Sequence, residues 1–200
     1  ARQMIITTEE VDNDNFADNP PERCYFCKQE LFSRLARIAE EEGAAYILDG
    51  TNLDDLGDFR PGRKAAKELA VRSPLLEAGM TKEDIRFFSM ELGLPTWNKP
   101  ACACLSSRFP YGTRITREKL SQVERGEDYL RLLGFGQFRL RHHGETVRIE
   151  ISREQFPLMM ERAEEVVREL KASGFAYVSL DLEGYRTGSM NEILSLKEQT

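Results

Sequence analysis

The chain has 200 residues, four cysteines and a formal net charge of -6, with 40% hydrophobic and 31% charged residues. Such a length builds one large or two small domains with real cores, in an ordinary globular composition. No apolar run approaches the roughly 20 residues that cross a bilayer, ARQMIITTEE has neither the basic region nor the apolar core of a signal peptide, and the acidic balance excludes broad nucleic-acid binding, which draws on a basic face. The cytoplasm is the expected compartment, with cysteines as reduced thiols, metal ligands or catalytic groups rather than disulfides.

MIITT, residues 4–8, reads as a short strand entered after only three residues, so the chain is expected to be a piece with an upstream part missing. Val11 to Pro21 is an Asp/Asn/Pro-rich loop. From Glu22 to Gly43 the spacing of Phe26, Leu31, Leu35, Ile38 and Ala39 predicts an amphipathic helix stopped by Gly43. AAYILD, residues 44–49, is an apolar run of the kind buried in parallel sheets. GTNLDDLGDFRPG follows at what would be the strand's carboxyl end, where open α/β sheets place their ligands. A short helix is expected over Lys64 to Val71. Another follows in TKEDIRFFSMELG, with Thr81 as N-cap, Glu83 and Asp84 in the first turn and Gly93 as its end. Helix alternating with buried strand favours a parallel α/β sheet in this half.

After Pro110-Tyr111-Gly112 the pattern changes. Thr116 caps a helix running to Leu133, and GQFRLRHHGETVRIEIS is two alternating runs with a hairpin turn at His143-Gly144. Arg153 to Ser173 is expected to be helical and AYVSLDLEGY a strand. The order α-β-β-α-β is that of a small α+β unit, ferredoxin-like in outline. Two domains are expected, 1–111 and 112–200.

Four constellations carry possible chemistry. RCYFCK places Cys24 and Cys27 at the start of a helix, a spacing that suits a metal, a cluster or a redox pair; the plainer alternative is two half-buried thiols. KPACACLSSRFPYG places Cys102 and Cys104 one residue apart. Together the pairs suit either a closed four-sulfur Zn site or a three-thiolate iron-sulfur cluster, and spacing does not choose. In the loop, Thr51, Asn52, Asp54, Asp55, Asp58 and Arg60 gather carboxylates suited to Mg2+ and a guanidinium suited to phosphate, or they form a solvated turn. Finally, Arg139 and Arg141 alternate with apolar residues, as do Arg148 and Glu150. Two guanidinium groups on one strand face could bind phosphate; the alternative is a solvent-facing, salt-bridged sheet. His142 and His143 are expected at the turn.

RCYFCK, DGTNLDDLGDFRPG, NKPACACLSSRFPYG and DLEGYRTGSMN, in this order, resemble the LarE-type ATP-dependent sulfur transferases of the PP-loop ATP pyrophosphatase superfamily over nearly the whole chain. The resemblance implies an adenine-nucleotide-alpha-hydrolase-like parallel sheet, present here in part, followed by the small α+β domain. It further implies that ATP and Mg2+ adenylate a carboxylate of a pyridinium-3,5-dicarboxylate mononucleotide, and that sulfur then displaces AMP to give a thiocarboxylate for the nickel-pincer cofactor of lactate racemase. Activation of this kind turns a poor leaving group into a good one. Thr51, Asp55, Asp58 and Arg60 are expected at the nucleotide and Mg2+.

In one branch of the family a cysteine of the PACAC segment surrenders its own sulfur. In another, a [4Fe-4S] cluster bound by three cysteines carries an extra sulfide. The CYFC pair favours the second, with Cys24, Cys27 and Cys104 as ligands and Cys102 close behind Cys104. Arg139, Arg141, Glu127 and Glu150 are implied near the substrate phosphate, with Arg108 and Arg186 as anion contacts. A sulfide or other sulfur donor, a homo-oligomeric assembly and no nucleic-acid or membrane partner complete the expectation. The SGGxDS phosphate loop of the superfamily is absent from these 200 residues, so the piece alone is not expected to adenylate substrate. Competing identities are a tRNA-thiolating or amidating PP-loop enzyme and a Zn-stabilised, non-catalytic anion-binding module.

Overall fold

The computed structural model describes residues 2–57, 60–99, 103–186 and 188–189. The chain divides into two compact units, residues 1–101 and 102–200. The segment before Gly112 belongs to the second unit because Arg108 and Phe109, 4% and 1% exposed, are buried there against Glu127 and His142.

In the first unit, helix α1 (Asp14–Ala17) starts where the Asn13 side chain accepts from the Asn15 amide at 3.0 Å, and it buries Phe16 and Ala17. Helix α2 (Arg23–Glu41) falls where the periodicity places it and buries Phe32. Helix α3 (Gly62–Glu68) lies against α2 through two buried alanines, Ala65 and Ala66. Gly62 lets the backbones meet: a Cβ there would stand 2.9 Å from Lys28 Cγ and 3.2 Å from the Cys24 carbonyl oxygen. Helix α4 (Pro74–Glu77) has proline in its first turn, where the missing N–H costs nothing. Helix α5 (Lys82–Glu91) opens on Thr81 as expected, and Asp84 completes a reciprocal capping box.

The expected strands of this unit are largely missing among the described residues. Residues 4–8 form no ladder, and AAYILD keeps one parallel bridge, Leu48 to Arg72, with hydrogen bonds of 2.9 Å on either side of it. A strand acquires its ladder only from neighbours. With one short neighbour here, Tyr46 and Leu48 stay 63% and 58% exposed.

Among its described residues the second unit is built on three strands in the order β1-β2-β3. Strand β1 (Phe138–His143) and β2 (Thr146–Ile151) pair antiparallel, and β3 (Tyr177–Leu180) pairs parallel to β2. Helix α6 (Arg117–Leu132) packs on the sheet, capped by the Thr116 hydroxyl accepting from Lys119 N at 3.2 Å. The expected long helix over 153–173 is instead a 3-10 turn (Arg153–Gln155), α7 (Phe156–Glu161) and α8 (Ala163–Ala172). Pro157 is tolerated only in a first turn, so α7 begins beside it, and Arg162 leaves helical geometry between α7 and α8. Leu140, Val147, Ile149 and Ile151 of the sheet meet Val123, Leu130, Val166 and Leu170 of α6 and α8 in the core.

Two local expectations change. His142 is not at the turn but in the core face of β1, 2% exposed, between the rings of Phe109 and Phe175. The last strand stops at Leu180, because the Asp181 carboxylate accepts from the Glu183 amide at 2.9 Å and turns the chain. Gly184 follows with φ +78°, and a Cβ there would stand 3.0 Å from the Ile151 carbonyl oxygen.

Candidate functional site

Alternation along β1 sends Phe138, Leu140 and His142 to the core and Arg139 and Arg141 to the opposite face. The register brings Glu150 opposite Arg139 and Arg148 opposite Arg141. Glu150 is fully buried, an arrangement that costs several kcal/mol per ion unless hydrogen bonds and opposite charge compensate it. Compensation comes from Arg141 Nη2 at 2.8 Å, Arg148 Nη2 at 3.0 Å and the Ser189 hydroxyl at 3.1 Å. Arg141 is 5% exposed and also donates to the Ser107 carbonyl at 2.9 Å and to Ser189 Oγ at 2.8 Å. Its buried Nε–H has no hydrogen-bond acceptor among the described residues.

A second buried pair adjoins the first. Arg108 grips Glu127 with two parallel hydrogen bonds of 2.7 and 2.8 Å, the strong fork geometry of guanidinium and carboxylate. Glu127 also accepts from the Leu140 amide at 3.1 Å. The remaining Arg108 Nη1 reaches the carbonyls of Ala103 and Cys104 and the Ser107 hydroxyl, each at 3.0 Å. Arg108 therefore fixes the backbone beside Cys104, whose own side chain is exposed. Solvent-facing salt bridges were the bland alternative for this sheet face; Glu150 and Arg141 are instead interior groups.

The structure thus gathers Arg108, Glu127, Arg141 and Glu150 into one network. Arg139 stands beside it, its guanidinium carbon 5.2 Å from the centroid of the Tyr185 ring. Arg186 pairs with Asp181 at 3.6 Å and Glu183 at 3.0 Å. Ser107, Ser189 and Tyr185 were missed: a lone hydroxyl or ring in a loop announces nothing until the fold brings it to a charge.

Beside the network, burial lowers the His142 pKa, with the Lys119 charge acting in the same direction. Its Nε2 is 3.3 Å from Gln122 Oε1. His143 is lowered too, first by burial and then by Arg148 and Arg141.

Two further thiols lie in the first unit. Cys24 and Cys27, three apart at the opening of α2, occupy one helical face, Cys24 exposed and Cys27 half-buried. Neighbouring Arg23 is buried and bonds to the Asn19 side chain, while Lys28 lies 5.0 Å over the Phe32 ring. Two thiols on one face suit a soft metal or a cluster. Among the described residues no group of three or more His, Cys, Asp or Glu side chains is gathered for a metal ion. Cys104 belongs to the second unit and Cys102 lies outside the described residues.

The polar loop is internally bonded. Asp49 accepts from Thr51 N at 3.1 Å, Thr51 Oγ1 at 2.8 Å and Ser73 Oγ at 2.7 Å. Burial pushes its pKa up, but those hydrogen bonds and the Lys28 charge outweigh burial and hold it below the usual range. Asp55 accepts from Asn52 N at 3.0 Å and pairs with Arg60 at 2.9 Å; Asp54 accepts from Lys82 N at 2.7 Å. Asp58 lies outside the described residues. Asp49 itself was absent from the sequence-derived candidates, hidden as the last letter of an apolar run.

The second unit thus combines buried guanidinium–carboxylate pairs with an exposed thiol, in a mixed α/β chain. No family model matches the chain. It is 48% identical over 193 residues to an uncharacterized protein of Synechocystis sp., with 96% of this chain and 72% of that protein covered. It is 42% identical over 189 residues to the pyridinium-3,5-bisthiocarboxylic acid mononucleotide synthase of Lactiplantibacillus plantarum, with 94% and 68% covered. An uncharacterized protein of Methanocaldococcus jannaschii is 33% identical over 187 residues, with 94% and 73% covered. The chain belongs to the LarE-type sulfur transferase family.

Proposed function

We propose that this chain carries the thiols and the substrate-phosphate platform of an ATP-dependent sulfur transferase that makes thiocarboxylates from a pyridinium-3,5-dicarboxylate mononucleotide. The observation that carries the proposal is the Arg108–Glu127 and Arg141–Glu150 network beside Cys104, on a chain 42% identical to the synthase.

In the reaction, a carboxylate oxygen of the substrate attacks the α-phosphate of ATP and pyrophosphate leaves. A sulfur nucleophile then adds to the acyl carbon, and the bond to AMP breaks. The role of this chain is positioning. Arg139 and Arg141 meet the mononucleotide's phosphate, Glu150 holds Arg141, and Arg108, braced by Glu127, holds the backbone beside Cys104. Thr51, Asp55, Asp58 and Arg60 are assigned to the nucleotide and its Mg2+, on a parallel sheet of the adenine-nucleotide-alpha-hydrolase type.

The donor chemistry of Cys24 and Cys27 fits an iron-sulfur cluster, with Cys104, or else Cys102, as third ligand; when bound, such a cluster supplies an iron that carries additional sulfide. Arg186, paired with Asp181 and Glu183, is assigned as a further anion contact. Among the described residues no helix is long and apolar enough to cross a membrane. We assign the enzyme to the cytoplasm, as a homo-oligomer fed by a sulfide donor.

The test is an anaerobic incubation of the full-length protein with ATP, Mg2+, sulfide and the dicarboxylate mononucleotide. AMP release matched by exchange of one carboxylate oxygen for sulfur in the product mass is expected. AMP release with no thiocarboxylate would sink the proposal.

A further inference from the structure

The segment after β3 is anchored to the sheet at both ends. Gly184 N donates to the Asp181 carbonyl at 3.0 Å and Tyr185 N donates to the Ile151 carbonyl at 2.8 Å. Five residues after Gly184, Ser189 is 5% exposed, its hydroxyl accepting from Arg141 Nη2 at 2.8 Å and donating to Glu150 Oε1 at 3.1 Å. Between these points the Tyr185 ring faces the Arg139 guanidinium at 5.2 Å, within cation–π range, while its hydroxyl is 3.5 Å from Arg139 Nη2. One short stretch therefore touches both arginines that β1 carries on this face.

We propose that Tyr185 and Ser189 are positioning residues that hold the guanidinium groups of Arg139 and Arg141 in register for the phosphate of the mononucleotide. The proposal rests on the reading of this face as the phosphate platform. Long arginine side chains lose much rotamer freedom when they engage an anion, and partners that restrain them beforehand remove part of that cost from binding. Neither residue touches the reacting carboxylate. The hydroxyl of Ser189 acts through Arg141 and Glu150; the ring of Tyr185 acts through Arg139.

Calorimetry with two probes tests this on the full chain: nicotinic acid mononucleotide and the same nucleoside without its phosphate. The wild type is expected to bind the phosphorylated probe more tightly. Ser189→Ala and Tyr185→Leu are each expected to lose about tenfold in affinity for it and nothing for the nucleoside, the scale of one interaction with a charged group. Ser189→Thr and Tyr185→Phe, which keep the hydroxyl and the ring, are expected to retain binding. A general loss of structure would weaken both probes alike and would not be rescued by the conservative variants. Phosphorylated-probe affinities unchanged in both Ser189→Ala and Tyr185→Leu overturn the inference while leaving the phosphate platform standing. Equal binding of both probes by the wild type overturns the platform itself, and the inference with it.

Discussion

Glu127 and Glu150 are carboxylates in an interior that accepts charge only when it is paired. Removing one partner strands the other, so Glu127→Leu is expected to destabilise the second unit by about 3 kcal/mol or more. The double variant Arg108→Met with Glu127→Leu removes both charges and is expected to recover most of that loss. Urea titration of the wild type, both singles and the double checks the pattern; additive losses would contradict a mutually compensating pair. At the same scale, His142 supplies a pH dependence. Its folded pKa is lowered, so at mildly acidic pH the unfolded chain binds a proton that the folded chain refuses. Its contribution is complete above the unfolded value, near about 6.5, and is lost as pH falls from there towards the folded pKa. His142→Phe is expected to flatten the fall in urea midpoint between neutral and mildly acidic pH. Because His143 is shifted in the same direction, His143→Gln is the control and is expected to leave part of the slope.

Elements were legible where their signals are local. Thr81 and Asp84, three residues apart, make a cap within one turn, and the β1–β2 hairpin follows from alternation broken at His143-Gly144. They were illegible where a distant partner decides. AAYILD has a strand's composition but one parallel bridge, and β3 ends early because Asp181 turns the chain. Helix α6 shows what a helix interior can conceal. Gly126 is a poor helix former by propensity, yet a Cβ there would stand 2.5 Å from Leu140 Cδ1 and 2.7 Å from Leu170 Cδ2. Both leucines are fully buried and have little room to retreat. Gly126→Ala gains about 1 kcal/mol of helix propensity against overpacking of about 1–3 kcal/mol. A net loss is expected, read as a lower thermal midpoint; an unchanged or higher midpoint would show that the leucines repack freely.

At the scale of the molecule, charge and thiols tell different stories about what a sequence conceals. The arginine face was legible because strand alternation projects Arg139 and Arg141 together. Its burial was not, since Ser107 and Ser189 reach it from elsewhere in the chain. The thiols were legible as two clusters, CxxC and CxC, but ligation depends on which donors a fold brings together. Single alanine variants of Cys24, Cys27, Cys102 and Cys104, reconstituted anaerobically with iron and sulfide in the full-length protein, decide it. The wild type is expected to hold about four irons with labile sulfide. Cys24→Ala and Cys27→Ala are each expected to lose the cluster's visible absorbance, because thiols on one helical face act as a pair. Of the other two, Cys104→Ala is expected to lose it and Cys102→Ala to retain it, since Arg108 clamps the Cys104 carbonyl and fixes the backbone that carries that thiol. Chelation of iron should bleach the wild type and leave the unit holding the arginine network folded, its core being built from side chains alone. A cluster that forms in all four variants would refute the ligand assignment, and about one zinc per chain in place of iron would point to a structural thiolate site.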